Sequence, residues 1–569
     1  MGVLLQGFYF GPGRAHGVPS PLDGDQSVPF WWDHLAAQAN ALRRSGFSAI
    51  WLPPPLKGAA GPLSNGYDPF DDYDIGDKNQ KGTVPTRYGT REQLERCVAV
   101  MRANGLDDYL DMVENQRDGD DGHFHFRYVN AFGQPDKGRF PKGPGDFHPN
   151  VPEDPEVFDD SFQFGRDLAP IDGLKHHVFT GLLDAGDWLT RSLDAQGFRL
   201  DDVKGISAEF LVPLLNHGAL ARKFAVGEFF DGNIGFIQGW MNETQHRAAA
   251  FDFPLRFQLQ TMCNNPGGFD MGSLDHAGLT GVDPLGSVTF VENHDTDGNS
   301  PIISNKMLAY AHILTAEGYP CVFYRDYSAD RNCYGLKPKI DPLIWIHEHL
   351  ASGPTQQRWK DGGVFAYERL GGDHLLVGLN KDSSGARTIR VQTGFPPRTE
   401  LHDFAGHAGA VTTDGASLVT LTIPKNADGL GYVCYARPGQ VDPFPVKTIA
   451  ITQDYEGAAD LDIKPAVENE RVLAARVFAE VNTTIEAEFS FDSAHWTAAT
   501  AIQLDLEDPD ASKVSGAKFE QNSLQTRGFN FETRKRGFHS FFVQARNTPD
   551  QNKTPSYRLR VKYTAPQTI

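Results

Sequence analysis

The chain of 569 residues has only five cysteines. They are Cys97, Cys263, Cys321, Cys333 and Cys434, an odd set at irregular spacing. That excludes a dense disulfide framework and offers no metal-type CxxC pair. No run of about 18 apolar residues occurs, so no transmembrane helix is expected. The N-terminus, Met1 to Phe10, lacks a basic segment followed by a long apolar one. No secretory leader is therefore expected, and the cytoplasm is the expected location; a secreted protein already trimmed of its leader would read the same way. Positive charge is in deficit: 53 Lys and Arg stand against 73 Asp and Glu, a net charge of −20. Such a chain repels phosphate backbones, and its longest basic cluster, Arg534-Lys535-Arg536, is short. Neither nucleic acid nor a membrane is an expected partner.

What remains is a globular composition, 40% apolar and 22% charged, with length for about three or four domains. Short apolar runs recur through the first 350 residues: Leu4–Phe10, Ala49–Leu52, Tyr109–Val113, Phe198–Asp201, Phe224–Glu228, Ala249–Phe253, Val288–Val291 and Val322–Tyr324. Several are too apolar for half-exposed strands, which suits a parallel sheet covered by helices. Helix signals lie between them. Thr90-Arg-Glu-Gln93 reads as a capping box, after which Leu94, Cys97, Val98 and Met101 share one face up to a stop at Gly105. Leu35, Ala39 and Leu42 form an earlier stripe that ends at Gly46.

Eight strands alternating with helices give the expected fold class: α/β, a (β/α)8 TIM barrel spanning 1–115 and 187–350. The segment 116–186, rich in Asp, Gly, Pro and His, is expected as a subdomain inserted after strand three and walling one side of a cleft. A small antiparallel β domain is expected over 351–438. A C-terminal β-sandwich is expected over 439–569, because Ile485, Ala487, Phe489 and Phe491 alternate onto one face. Tyr557, Leu559, Val561 and Tyr563 do the same, with Arg558, Arg560 and Lys562 opposite.

Catalytic groups of such barrels sit at the C-terminal ends of strands. Here those ends carry acids: Asp111 and Asn115-Gln116 on strand three, Asp201 on strand four, Glu228 on strand five, and His294-Asp295 after strand seven. Glycosidic cleavage needs a proton for the leaving oxygen and an anion for the sugar cation, work that two carboxyl groups about 5 Å apart can do with retention. Arg199, two residues before Asp201, is expected to hold Asp201 ionised, while Glu228 stays protonated.

The segments Gly-Phe-Arg-Leu-Asp201, Gly-Glu228-Phe-Phe and Glu-Asn-His294-Asp295 resemble the α-amylase family, glycoside hydrolase family 13. Asn65-Gly-Tyr67-Asp-Pro-Phe, Trp51-Leu-Pro-Pro and Gly318-Tyr-Pro-Cys-Val-Phe-Tyr resemble its bacterial liquefying and cytoplasmic members, in the right order over about residues 3–437. The resemblance implies that Asp201 is the nucleophile, Glu228 the general acid/base and Asp295 the stabiliser of the distorted sugar. It implies sugar contacts from Tyr67, Arg199 and His294, support from Asp111, and a sugar on the leaving side for Lys204. The partner it implies is an α-glucan.

Three departures stand out. Gln116 replaces the histidine that usually ends the strand-three motif, and Gly205 follows Lys204 where a histidine is frequent. The resemblance implies no cofactor for the chemistry, and a structural Ca2+ held by Asn115, Asp167 and neighbours. Yet in Asp167-Leu-Ala-Pro170-Ile-Asp172, Pro170 stands where an acidic ligand is expected, against the six to eight oxygens that calcium takes. The expected activity is hydrolysis of internal α-1,4 bonds of starch, glycogen or maltodextrins. An exo-acting maltooligosaccharide former or a transglycosylase, and a glucan-binding protein with weakened catalysis, stand as alternatives. Trp496 is the candidate glucan contact of the sandwich, against a plain core position.

Overall fold

The computed structural model describes residues 2–11, 17–121, 124–130, 132–148, 164–171, 177–372, 374–439, 447–457, 472–491, 501–510, 512–521, 527–546 and 557–567. Trp496 and Asp172 lie outside them. Eight strands close into a parallel barrel. They are β1 (Leu4–Gln6), β2 (Ala49–Leu52), β3 (Asp107–Met112), β4 (Gly197–Leu200), β5 (Phe224–Gly227), β6 (Ala249–Phe251), β7 (Ser287–Phe290) and β8 (Tyr319–Phe323). Leu4 of β1 pairs with both Ala49 of β2 and Cys321 of β8, and that double pairing closes the ring. The strands are buried on both faces because helices cover the outside and side chains fill the inside.

Helix α1 (Trp31–Arg44) turns Trp31, Trp32, Leu35, Ala39 and Leu42 inward. Helix α2 (Arg91–Ala103) starts at the capping box read from the sequence, with both reciprocal hydrogen bonds made. It ends before Gly105, which adopts φ 74°, a left-handed conformation that glycine takes without Cβ strain. Helix α3 (His177–Leu193) begins inside the segment read as insertion.

The insertion is tied to the barrel by buried charges. The Arg117 guanidinium holds Asp72 and lies 3.4 Å from Glu114, and Lys142 reaches the other Asp72 oxygen. The Lys142 ammonium also lies 4.1 Å from the centre of the Phe140 ring. Burial alone would raise the Asp72 carboxyl, but Arg117 and Lys142 outweigh it and hold it down at about 2.

After the barrel, a six-stranded and a two-stranded antiparallel sheet enclose a core of residues such as Val364, Leu376, Ile389 and Leu421. Two four-stranded antiparallel sheets follow within 447–567. Their facing sides bury Ile485, Ala487, Phe489, Leu559, Val561 and Tyr563, while Arg558 and Arg560 face water, as the alternation indicates. Ala103 at the end of α2 belongs to this same core, so the sandwich packs against the barrel wall.

At the opposite end from the acids named above, Asp108 is fully buried near the start of β3 and neither of its carboxylate oxygens finds a hydrogen-bond partner. Desolvation pushes its carboxyl up to about 7. The folded state therefore binds this proton more tightly than the unfolded chain does, so stability falls as pH rises from about 4 to 7. Asp108→Asn is expected to stabilise the protein at pH 8 by on the order of 2–4 kcal/mol and to be nearly neutral at pH 4, as read by thermal unfolding at both pH values. Arg117→Met leaves Asp72 short of a partner; a loss of about 3–5 kcal/mol is expected in the same assay.

Candidate active site

Strand register builds the site. Asp111 of β3 lies opposite Arg199 of β4, and Leu200 of β4 lies opposite Gly227 of β5. Asp201 and Glu228, each one residue further on, therefore leave neighbouring strands at the same height. Asp202 then takes φ 36°, a strained left-handed conformation for a residue with a side chain, and turns the chain into a short 3-10 turn that carries Lys204 outward.

Arg199 sits at the centre, 1% exposed. Its Nη1 donates to Asp111 Oδ1 at 2.8 Å and to Asp201 Oδ1 at 2.7 Å, and its Nη2 donates to Glu228 Oε2 at 2.5 Å. The other Asp111 oxygen accepts from Trp51 Nε1 at 2.9 Å and from the Tyr67 hydroxyl at 2.8 Å. Trp51 also lies beneath the guanidinium, 4.9 Å from ring centre to carbon. Gln116 donates to the Tyr67 carbonyl at 2.9 Å and reaches Asp201 Oδ2 at 3.4 Å.

The third acid enters from β7. His294 stacks on Tyr67 at 5.3 Å and 11°. The Gln6 amide is hydrogen-bonded to His294 Nδ1 at 2.9 Å, and Nε2 of the same ring lies 3.2 Å from Asp295 Oδ2. Phe8 and Phe10 pack against the same imidazole. Asp295 is the most open of the three acids, its side chain 25% exposed against 10% for Asp201 and for Glu228.

Burial pushes the Glu228 carboxyl well above the ordinary range; Arg199 pulls it back, while Asp295 and Asp201 push it further up. Burial likewise raises Asp201, opposed by the attraction and hydrogen bonds of Arg199 and by the bond from Gln116. Asp111 is pushed up to about 6, again chiefly by burial. Arg199 pulls Asp201 toward the ionised form, as expected, but one cation is shared among three desolvated carboxyl groups, so burial still leaves Asp201 raised. Glu228 is the further raised of the two, so the site contains one group suited to hold a proton and a neighbour better held as an anion.

Lys204 stands on the rim, bonded to Asp231 at 3.1 Å and to the Phe230 carbonyl at 3.3 Å, apart from the carboxyl cluster. Asn115 and Asp167 do meet: the Asn115 amide donates to Asp167 Oδ1 at 3.1 Å. Gly205 lies directly beneath that amide, and a Cβ there would stand 2.6 Å from Asn115 Oδ1. This explains the absence of a side chain after Lys204. Pro170 offers no side-chain oxygen, and among the described residues no three His, Cys, Asp or Glu gather as a metal site.

Trp51 and Gln6 are site residues to which sequence reasoning gave no role. Trp51 was visible only inside a motif. Gln6 had a signal of its own, as the one amide in the apolar run Leu4–Phe10.

No family model matches the chain. The chain is similar to the glucan 1,4-α-maltohexaosidase of Bacillus sp. (strain 707), 30% identical over an alignment that covers 72% of this chain and 88% of that one. It is similar to the α-amylase of Geobacillus stearothermophilus, 30% identical over 76% of this chain and 89% of that one. It is also similar to the cytoplasmic α-amylase of Escherichia coli (strain K12), 27% identical over 66% and 90%. Two solved structures share its fold. The α-amylase of Geobacillus thermoleovorans complexed with acarbose superposes with a TM-score of 0.53 at 20% identity, covering 72% of this chain and 92% of that one. An Anoxybacillus α-amylase does so with a TM-score of 0.56 at 16%, covering 77% and 98%.

Replacing Arg199 by Gln removes the cation that lowers all three carboxyl groups. The acid limb of the pH–rate profile is expected to move to higher pH, with activity at neutral pH falling about a hundredfold. An unshifted limb would count against the shared-cation account.

Proposed function

The chain belongs to the α-amylase family of glycoside hydrolases and cleaves α-1,4-glucosidic bonds, and we propose that it cuts starch, glycogen or maltodextrins internally with retention of anomeric configuration. The observation that carries this reading is the gripping of Asp201 and Glu228 by one guanidinium. That arrangement favours the short spacing, about 5 Å, at which one carboxylate attacks the sugar carbon directly, over the wider gap that seats a water in inverting enzymes.

In the proposed sequence Glu228, proton-bearing because it is buried, protonates the glycosidic oxygen as that bond breaks. Asp201 forms a bond to the anomeric carbon and gives a glucosyl ester. Glu228, now ionised, takes a proton from water, whose oxygen attacks the same carbon from the face the leaving chain vacated and releases Asp201. Asp295, the acid most open to the cleft, carries hydrogen bonds to the sugar that strengthen as the ring flattens and gains charge. Tyr67 and His294, stacked and buttressed by Phe8 and Phe10, form an apolar wall for that ring. Arg199 and Asp111 position the two reacting carboxyl groups. Gln116 occupies the histidine position of the family motif and points its amide at Asp201. Lys204 marks the leaving side. The reaction is carried by side chains of the chain alone. A cytoplasmic setting is supported by the likeness to the Escherichia coli cytoplasmic enzyme and by five unpaired thiols.

Digestion of amylose followed by NMR and product chromatography tests the reading. Newly formed ends are expected as the α-anomer, and early products of mixed length. A β-anomeric product overturns retention, and early products of a single length favour exo action, the behaviour named for the maltohexaosidase relative. Asp201→Asn is expected to lower the release of reducing ends by roughly a thousandfold or more.

A further inference from the structure

On the flank of the barrel, residues of helices α4 (Ala208–Leu215) and α5 (Ile234–Glu243) face one another across an open space. Between them lies a groove of about 990 Å³, at the upper end of the roughly 300–1,000 Å³ typical of ligand sites. Lys204 and Phe229 line it, and they follow Asp201 by three residues and Glu228 by one, so the groove reaches the same end of strands β4 and β5 that carries the two acids.

The walls have an uneven chemistry. Phe236 of α5 stands 61% exposed at the groove, although burying a phenyl ring would be favourable. Glu209 on one wall and Glu243 and Gln245 on the other supply exposed acceptors and an amide. Trp240 lines the inner wall at 5% exposure, and its indole N–H has no acceptor. Gly235 and Gly239, one helical turn apart on α5, leave the wall bare, and a Cβ added at Gly239 would meet nothing within 4 Å. Glycine inside a helix costs about 1 kcal/mol relative to alanine, so the open wall is kept against local helix stability.

We propose that this groove is an accessory α-glucan site that takes the polymer beyond the leaving-side sugars, with a glucose ring stacked on Phe236 and hydroxyls on Glu209, Glu243 and Gln245. The proposal rests on the α-glucan reading above. Two carboxylates at the groove and a chain of net charge −20 select against an anionic occupant. An uncharged chain of sugars offers the alternating apolar faces and hydroxyl edges that an aromatic ring and flanking acceptors accommodate. Because Lys204 and Phe229 stand at the end of the barrel that carries the acids, a polymer seated over Asp201 and Glu228 has a short path to the groove and reaches it at the effective concentration of a tethered ligand.

Phe236→Ala removes the platform and Gly239→Phe fills the groove; Gly239→Ala is the control that adds only a methyl group. Steady-state kinetics on soluble amylose and on p-nitrophenyl-maltotrioside, which is too short to leave the cleft, distinguish the possibilities. In both test variants KM for amylose is expected to rise roughly three- to tenfold, the size of one lost aromatic contact, with kcat and all constants for the short substrate unchanged. The control is expected to match the unaltered enzyme. Unchanged amylose kinetics in the test variants overturn the proposal. So does an equal loss on both substrates, which would trace the effect to the catalytic centre through Trp240, whose ring packs against Gly227 beside Glu228. Unaltered protein that turns over neither substrate would instead defeat the hydrolase reading, before any variant is compared.

Discussion

A single guanidinium shared by three largely buried carboxyl groups is the constraint around which this protein is arranged. A net negative cluster of that kind is costly to bury unless geometry is well matched on every side. The structure meets the condition by construction: the barrel register sets Asp111, Arg199, Asp201 and Glu228 at neighbouring heights, and Trp51 and Tyr67 satisfy the Asp111 oxygen that faces away from Arg199. The cost left over is what raises the carboxyl groups. A site that could neutralise all three acids would hold no proton at neutral pH, and one with no cation would hold too many.

The same physics reappears at the base of the inserted segment with the signs exchanged. There Asp72 is shared by Arg117 and Lys142, and the ammonium is lined by the aromatic faces of Phe126, Tyr128 and Phe140. Together with the Asn115–Asp167 hydrogen bond, this cluster joins the insertion to the ends of the barrel strands. It does with side-chain cations the type of work that a bound divalent ion does elsewhere, clamping oxygen-bearing loops onto a rigid frame.

Much of this was legible in the residues. The barrel strands lie where the short apolar runs lie, because a strand buried on both faces has no polar face to hide it. The capping box at Thr90 and the alternation in 484–491 and 557–563 follow equally local rules. Asp201, Glu228 and Asp295 could be singled out together because they follow strand ends, and a strand end in a barrel is a known place in space. What escaped depended on distant pairing. Gln6 meets His294 across 288 positions of sequence, and no local pattern encodes that meeting. Helix α3 begins at His177, where Val178, Leu182, Ala185 and Leu189 keep helical spacing behind a Gly- and Asp-rich stretch that looks like loop. The sharing of Arg199 among Asp111, Asp201 and Glu228 was not legible, because it is a property of three strands together. Gly205 read as a missing side chain; in the fold it lies against the Asn115 amide, which a side chain there would displace.

The closure of the barrel has a bearing on how the chain is made. The first strand, Leu4–Gln6, finishes its pairing only with the segment ending at Phe323. During synthesis the opening strand leaves the ribosome early and must wait, one edge bare, until more than half of the polypeptide has followed it. Asp201 and Glu228 are held at matching heights by that ring, so a nascent chain that has not yet reached Phe323 cannot assemble the site.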